Sequence, residues 1–331
     1  MSSFSSPPQK PKRPSPVKIP NIFSDQQGDT NPLLTPTNLD LYRNTVVGVN
    51  PCFSVLSYNV WMSPINQILR HANLITLLLK RSSNVIMLQE VKPFLANAFR
   101  EVMGDKYYVS PFDYCYGNLT LIKKQFLNSE TISSSQIKFE EIELTTNMGR
   151  SLLLTTINLN EEMYVFGNMH FESLNNTETR KIQLNEVKEA MEGEERRLVL
   201  LGGDFNFDDI QTWGDWKTGS FWGLDNPPST PKKSNSNPST EPKLENINLS
   251  EIFTDYIDPW LHLNKDTTLE SRFTFDGELN YNVKDNKEQM RYDRFLIKEG
   301  VDTVQDVRIL REEVSDHFGL EVVFGFGEEG K

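Results

Sequence analysis

The sequence predicts an α/β protein: a four-layer sandwich of two mixed β-sheets flanked by helices. Three observations lead there. The ordered region opens on a β-α-β-α alternation, then runs strand after strand from Tyr107 to Phe171. Strands outnumber helices along the rest of the chain. The helical stretches flank the strand runs, an arrangement that two packed sheets with outer helices satisfy.

The elements follow in order. Phe53 to Tyr58 alternates as a strand, and Ile65 to Leu79 carries Ile65, Ile68, Leu69, Ala72, Ile75, Leu78 and Leu79 at helical spacing. Asn84 to Leu88 is a short buried-strand run. Pro93 suits a first helical turn and starts a helix through Met103. Leu119–Ile122, Ile137–Leu144, Leu152–Leu159 and Met163–His170 read as extended, with Asn160-Glu161-Glu162 as a hairpin turn. A helix over 178–192 uses Ile182, Val187 and Ala190. Leu198–Leu201 is an apolar strand running into Gly202-Gly203-Asp204. Helical pattern resumes over 249–263. Strands follow at 273–275, 292–297, 304–309 and 320–324, with no internal repeat.

One domain over 50–327 accounts for these elements. Residues 1–45 are rich in Pro, Ser, Asn and Thr and read as a disordered tail. Residues 226–247 read as a low-complexity surface insertion. No apolar run approaches the roughly 20 residues that cross a bilayer, and the first residues lack a secretory pattern. Cys52 and Cys115 make neither a disulfide framework nor a zinc motif. The reading is an intracellular monomer, nuclear or cytoplasmic, with Lys10, Lys12, Arg13 and Lys18 as a weak basic cluster. The net charge of -12 speaks against sequence-independent coating of DNA. It leaves room for action at a nucleic-acid end, where few phosphates are touched.

Four polar clusters end apolar, strand-forming runs: Asn59, Glu90, Asp204-Phe205-Asn206 and Ser315-Asp316-His317. Polar groups in such places are costly to desolvate unless something uses them. A hard cation such as Mg²⁺ takes oxygen ligands and keeps waters, so Glu90 is a ligand candidate with Asp316 and Asn59 near it. Asp204 and Asn206, two apart on an extended segment, share a face. Together they can orient and deprotonate a water. His317 can donate to a phosphate if a carboxylate such as Asp293 keeps it protonated.

In this order the clusters resemble the endonuclease/exonuclease/phosphatase superfamily. Asn59, Gln89-Glu90, His170, Gly203-Asp204-Phe205-Asn206 and Ser315-Asp316-His317 supply its motifs, and the resemblance covers about 52 to 326. His170-Phe171-Glu172-Ser173 with Arg180 and Gln183 is similar to a block of the type-2 tyrosyl-DNA phosphodiesterases. So are Asp258-Pro259-Trp260, Phe273-Thr274-Phe275-Asp276 and Arg291-Tyr292-Asp293-Arg294.

That resemblance implies a Mg²⁺-dependent phosphodiesterase, with Mn²⁺ as an alternative metal. Its substrate would be a 5′-phosphotyrosyl bond on a single-stranded DNA end. Glu90 would bind the metal with Asn59 and Asp316, and Asp204 and Asn206 would handle the water. His170, Ser173 and His317 would grip phosphate oxygens, and Asp293 would orient His317. Tyr116 and Arg150 would sit on the substrate side, and Phe275 would line the DNA groove. The branch's Gly-Asp-Thr-Asn-Leu-Arg is here Gly-Asp-Phe-Asn-Phe-Asp, so Asp208 stands where a substrate-facing arginine is expected. Motifs common to the whole superfamily leave an abasic endonuclease, a ribonuclease or deadenylase, and a phospholipid or inositol phosphatase as alternatives. A scaffold with a vestigial site is a further alternative.

Overall fold

A computed structural model of the protein describes residues 52–127, 136–159, 162–193, 196–212, 244–264, 271–284, 287–298, 300 and 303–325. The tail over 1–45, its basic cluster, the turn residues Asn160 and Glu161, and residues 226–243 of the expected insertion lie outside the described residues.

Along the chain come β1 (Cys52–Asn59), α1 (Gln67–Arg81), β2 (Val85–Val91), α2 (Pro93–Met103), β3 (Tyr107–Val109), β4 (Gly117–Lys123), β5 (Ile137–Glu143), β6 (Ser151–Leu159) and β7 (Glu162–His170). Then follow α3 (Thr177–Ala190), β8 (Leu198–Asp204), α4 (Asn246–Ile252), α5 (Pro259–Leu263), β9 (Phe275–Asp276), β10 (Gln289–Met290), β11 (Asp293–Ile297), β12 (Val304–Leu310) and β13 (Gly319–Gly325). One sheet has the order β12-β13-β1-β2-β4-β3 and the other β11-β8-β7-β6-β5; β9 and β10 form a small ladder apart. Each large sheet is mixed: β1–β2 and β7–β8 are parallel, and their other neighbours are antiparallel.

Strand alternation builds the layers. Phe53 and Val55 of β1, with Val85 and Met87 of β2, enter the core between the sheets. Leu56, Tyr58, Ile86 and Leu88, one residue out of phase, pack with Leu74 and Leu78 of α1 and Phe99 of α2. On the far side Val165, Val199 and Leu201 meet Leu184 and Val187 of α3 and Phe253 after α4. Strands covered on both faces read as continuous apolar runs, which is why they stand out in the sequence.

Three sequence expectations change. The periodicity put Ile65, Ile68 and Leu69 on the buried face of α1, but they are 59%, 72% and 53% exposed. Arg70 and His71 are buried instead. The Arg70 guanidinium has five N–H groups, and they donate to the carbonyls of Val60, Trp61, Ser63, Ile65 and Val314. It thereby satisfies loop carbonyls that no ladder pairs. In α3, Ile182 is exposed, while Arg180 and Gln183 are buried with Leu184 and Val187. The helix expected over 249–263 is two helices. Proline at the first position of α5 and the Asp258 carboxylate, which accepts from Trp260 N and Leu261 N, start a new helix at Pro259.

Candidate active site

The two parallel pairs set the site. β1 ends at Asn59 and β2 carries Glu90 one residue before its end at Val91, and β7 and β8 end at His170 and Asp204. The sheets face each other, so all four ends reach one rim, where Asn59 of one sheet meets Asp204 of the other. β11 runs antiparallel to β8 and therefore starts there, with Asp293 opposite Asp204. Beneath the rim, Gln89 donates to Ser57 Oγ and to Asn168 Oδ1, a polar tie between the sheets.

Backbone strain is concentrated here. Glu90, in the irregular stretch of the β2–β4 ladder, has φ 62°; Trp61 has φ 56° and Asn206 has φ 57°. Side-chain-bearing residues pay for such angles, and they tend to persist at functional sites. Gly203, before Asp204, has φ 139°, and a Cβ there would meet Met169 O at 1.8 Å. Only glycine lets β8 approach β7 that closely.

Asp204 is the centre. Its Oδ2 accepts from Asn59 Nδ2 at 3.0 Å and lies 3.4 Å from His170 Nε2 and 3.8 Å from His317 Nε2. Its Oδ1 accepts from Asn206 N at 2.9 Å. Burial pushes its pKa up to about 6, against the opposing pull of His317. The two histidines differ. His317 Nδ1 donates to Asp293 Oδ2 at 2.7 Å. Burial alone would lower its pKa, but Asp293 and Asp204 together raise it well above the usual value, so it is an imidazolium. His170 faces Arg150, whose Nη1 donates to His170 Nδ1 at 3.0 Å and to Tyr116 OH at 2.7 Å. Burial and the Arg150 charge lower His170 well below the usual value. A guanidinium only donates, so Nδ1 of His170 is the acceptor and Nε2 carries the proton, towards Asp204.

The expected metal side is formed by Glu90, Asn59 and Asp316. Glu90 accepts from Met62 N at 2.8 Å and from Asn59 Nδ2 at 3.4 Å. The Asn59 amide oxygen is taken by Trp61 N at 3.0 Å. Asn59 thus spans Glu90 and Asp204 and holds both carboxylates. Ser315 Oγ links Asn59 O to Asp316. Burial, then the neighbouring Glu90 charge, pushes Asp316 up to about 7 despite His317. Among the described residues no group of three or more His, Cys, Asp or Glu is arranged to hold a metal. Two crowded carboxylates, all oxygen, are the donor set of a hard cation that keeps most of its waters, so the residues fit Mg²⁺.

Tyr116, Arg150, His170, Asp204, Asn206, Asp293 and His317 thus come together, joined by Glu90, Asn59 and Asp316. Two expected residues are engaged with protein groups. The Ser173 hydroxyl donates to Met148 Sδ at 3.1 Å, at the edge of the cleft. Phe275 is 9% exposed and packs edge-on against His317, with ring centroids 5.2 Å apart. Its ring supports the imidazole and offers little face to a base. The exposed aromatic near Asp316 is Tyr281, 72% exposed with Lys284 over its ring. It is tied in through Asn280 and Asn282, which donate to Asp316 O and Ser315 O. Asp208 is buried rather than substrate-facing: its carboxylate accepts from Arg291 N and Ile210 N.

Sequence reasoning gave no role to Glu172. Its buried carboxylate accepts from Thr146 Oγ1 at 2.6 Å and Asn147 N at 2.9 Å, and Thr146 Oγ1 in turn accepts from Arg150 N. It shapes the turn that presents Arg150. The available signal was its place between His170 and Ser173.

The model of the Endonuclease/Exonuclease/phosphatase family matches residues 56–317. A search of curated proteins finds no match. Among solved structures, D. rerio TDP2 humanized by 14 mutations shares 21% identity at TM-score 0.61, covering 83% of this chain and 99% of that one. D. rerio TDP2 complexed with single strand DNA product shares 21% at TM-score 0.60, covering 84% and 100%. Truncated C. elegans TDP2 shares 18% at TM-score 0.59, covering 83% and 98%. At these identities the likeness is one of fold.

Proposed function

Because the chain belongs to the endonuclease/exonuclease/phosphatase family, hydrolases of phosphodiester bonds that depend on a divalent metal, we propose that it hydrolyses 5′-phosphotyrosyl bonds at single-stranded DNA ends. The product is a 5′-phosphate. The observation that carries this reading is the Tyr116–Arg150–His170 cluster beside the phosphate site. A phenol with a guanidinium 5.8 Å from its ring centroid suits a substrate that is itself an aryl phosphate. The catalytic unit is residues 50–327, acting as an intracellular monomer, nuclear or cytoplasmic.

Asp204 takes a proton from the attacking water, its basicity raised towards neutrality by burial. Asn59 and the Asn206 N–H fix the angle of that carboxylate. The water oxygen bonds to phosphorus, the bond from phosphorus to the tyrosyl oxygen breaks, and the departing phenolate takes a proton from solvent. The His317 imidazolium and Arg150 place positive charge where negative charge grows on the phosphate. His170 contributes a neutral N–H donor. Glu90 and Asp316 would hold Mg²⁺, which when bound supplies positive charge at the phosphate; Mn²⁺ suits the same oxygens. Tyr281 and Lys284 provide a stacking face and a cation for the DNA strand.

The test is a 5′-tyrosyl single-stranded oligonucleotide with Mg²⁺, with Glu90→Gln as control. Conversion to a 5′-phosphate, lost in the variant, is expected. Abasic DNA, RNA, and phospholipid and inositol phosphates run alongside. Turnover of one of these by a protein inert on the tyrosyl end would replace the reading.

A further inference from the structure

We infer that Asn280 is a positioning residue for the metal side of the site: its amide holds the main chain of Ser315 and Asp316, and so keeps the Asp316 carboxylate beside Glu90. This rests on the function proposed above and names what fixes one of its two metal carboxylates.

Ser315 and Asp316 lie in the connection between β12, which ends at Leu310, and β13, which begins at Gly319. A single bridge pairs His317 with Phe275 there. Backbone carbonyls outside a regular ladder must find other donors, and four in succession accept from side chains. Glu313 O accepts from Asn282 Nδ2 at 3.0 Å, and Val314 O from Arg70 Nη1 at 3.4 Å. Ser315 O accepts from Asn282 Nδ2 at 2.8 Å and from Asn280 Nδ2 at 3.0 Å. Asp316 O accepts from Asn280 Nδ2 at 3.0 Å. Asn280 is thus the side chain that reaches the carbonyl of Asp316 itself.

Its own setting fixes the amide. Asn280 is fully buried, in the turn after β9. Its N donates to Asp276 O at 2.8 Å, and its Oδ1 accepts from Asn282 N at 3.0 Å. Asp276 Oδ1 accepts from Glu278 N and Leu279 N. The turn is therefore closed without the Asn280 N–H groups. Those donors go to a segment 35 and 36 residues further on. A buried amide is costly unless paired, and this one is paired with the loop that carries Asp316.

Asp316 needs such a hold. It bears the same charge as Glu90, and two carboxylates brought together repel. On a loose loop the Asp316 side chain would turn out to water. A carboxylate fixed before the cation arrives loses no further freedom on binding it. Ser315 Oγ ties the segment to β1 at Asn59 O, and Asn280 ties it to the turn after β9.

The experiment is Mn²⁺ binding to the full chain without nucleic acid, followed by the electron paramagnetic resonance signal of the free ion. The wild type is compared with Asn280→Ala, Asn280→Ser, Asn282→Ala and Ser83→Ala, with thermal denaturation of each. Ser83 makes a buried hydrogen bond to Glu321 Oε1 before the start of β2, at the end of that strand away from Glu90. Its alanine variant therefore reports a loss of stability alone. Asn280→Ala should bind Mn²⁺ about 10–100-fold more weakly, the range for losing a group that orients a metal ligand. Asn280→Ser keeps an acceptor for the turn and can donate to one carbonyl, so a smaller fall is expected. Asn282→Ala leaves the bond to Asp316 O in place and should lose less than Asn280→Ala. Ser83→Ala should melt earlier with unchanged affinity. Wild-type affinity in Asn280→Ala would overturn the inference; should that variant not fold, wild-type affinity in Asn280→Ser would do the same. A fall shared by Ser83→Ala would make the effect one of stability, and a larger fall in Asn282→Ala would move the role to that residue; either overturns the inference. A wild type that binds no Mn²⁺ would instead refute the metal side of the function proposed above, and the inference with it.

Discussion

The two sides of Asp204 present the same residue in opposite states. His170 and His317 both point Nε2 at Oδ2 of that carboxylate, at 3.4 and 3.8 Å, and both are buried. What differs is the partner of Nδ1. On the β7 side it is Arg150, a donor that forces the ring neutral; on the β11 side it is Asp293, an acceptor that holds the ring charged. Burial pushes both rings in one direction, so the contact at about 3 Å, rather than the degree of burial, decides the charge. One neutral and one cationic imidazole let the site place positive charge on one flank of a phosphate and leave Asp204 a competent base between them.

The largest effect should follow from the shared centre. Asp204→Asn removes the base and is expected to lower kcat by about 10²–10⁴-fold with the fold retained; near-normal turnover would show that the water is activated elsewhere. His317→Ala, which removes a charged donor, should cost about 10²–10³-fold in kcat. Asp293→Asn should separate the two flanks. In the wild type, activity should rise with pH through about 6 as Asp204 loses its proton, and fall only when pH passes the raised pKa of His317. Without Asp293 the upper limb should move to lower pH while the lower limb stays, as read from a kcat against pH profile. A profile with both limbs unmoved would detach Asp293 from the titration. On the other flank, His170→Gln and Arg150→Lys should raise KM more than they lower kcat and leave the upper limb in place. The smallest effect belongs to Glu172→Gln, a severalfold rise in KM through the turn that carries Arg150. Its thermal denaturation should show the loss of a buried acceptor, about 1–3 kcal/mol.

The same contrast marks what could be read from the sequence. Strands with both faces covered announced themselves, and the polar residues at or near their ends, Asn59, Glu90 and Asp204, pointed to one shared metal and phosphate site; His170 entered only through the family resemblance. Pro93 at the first turn of α2 was equally legible. The buried face of α1 was not, because Arg70 is fixed by five carbonyls, one of them from Val314, 244 residues away. Asp208 stood in a position associated with substrate, yet it caps the backbone of Arg291, 83 residues on. Its neighbour Asp209 joins Arg272, Arg291 and, through Arg291, Asp258 in a buried ionic network. Burial pushes the Asp209 carboxyl up, but the charges of Arg291, Arg294 and Arg272 together hold it well below its usual range. Partners so far apart leave no local pattern. Phe275 was visible as an aromatic beside Asp276, but only packing reveals that it is buried against His317 and that Tyr281 is exposed.

The opposite charges of the two histidines can be measured directly. The chain has four histidines, His71, His170, His262 and His317, few enough to assign each imidazole by single substitutions in ¹⁵N-labelled protein. At pH 7, His317 should show both ring nitrogens protonated, and His170 should be neutral with its proton on Nε2. Both rings neutral, both charged, or His170 protonated on Nδ1 would contradict the account.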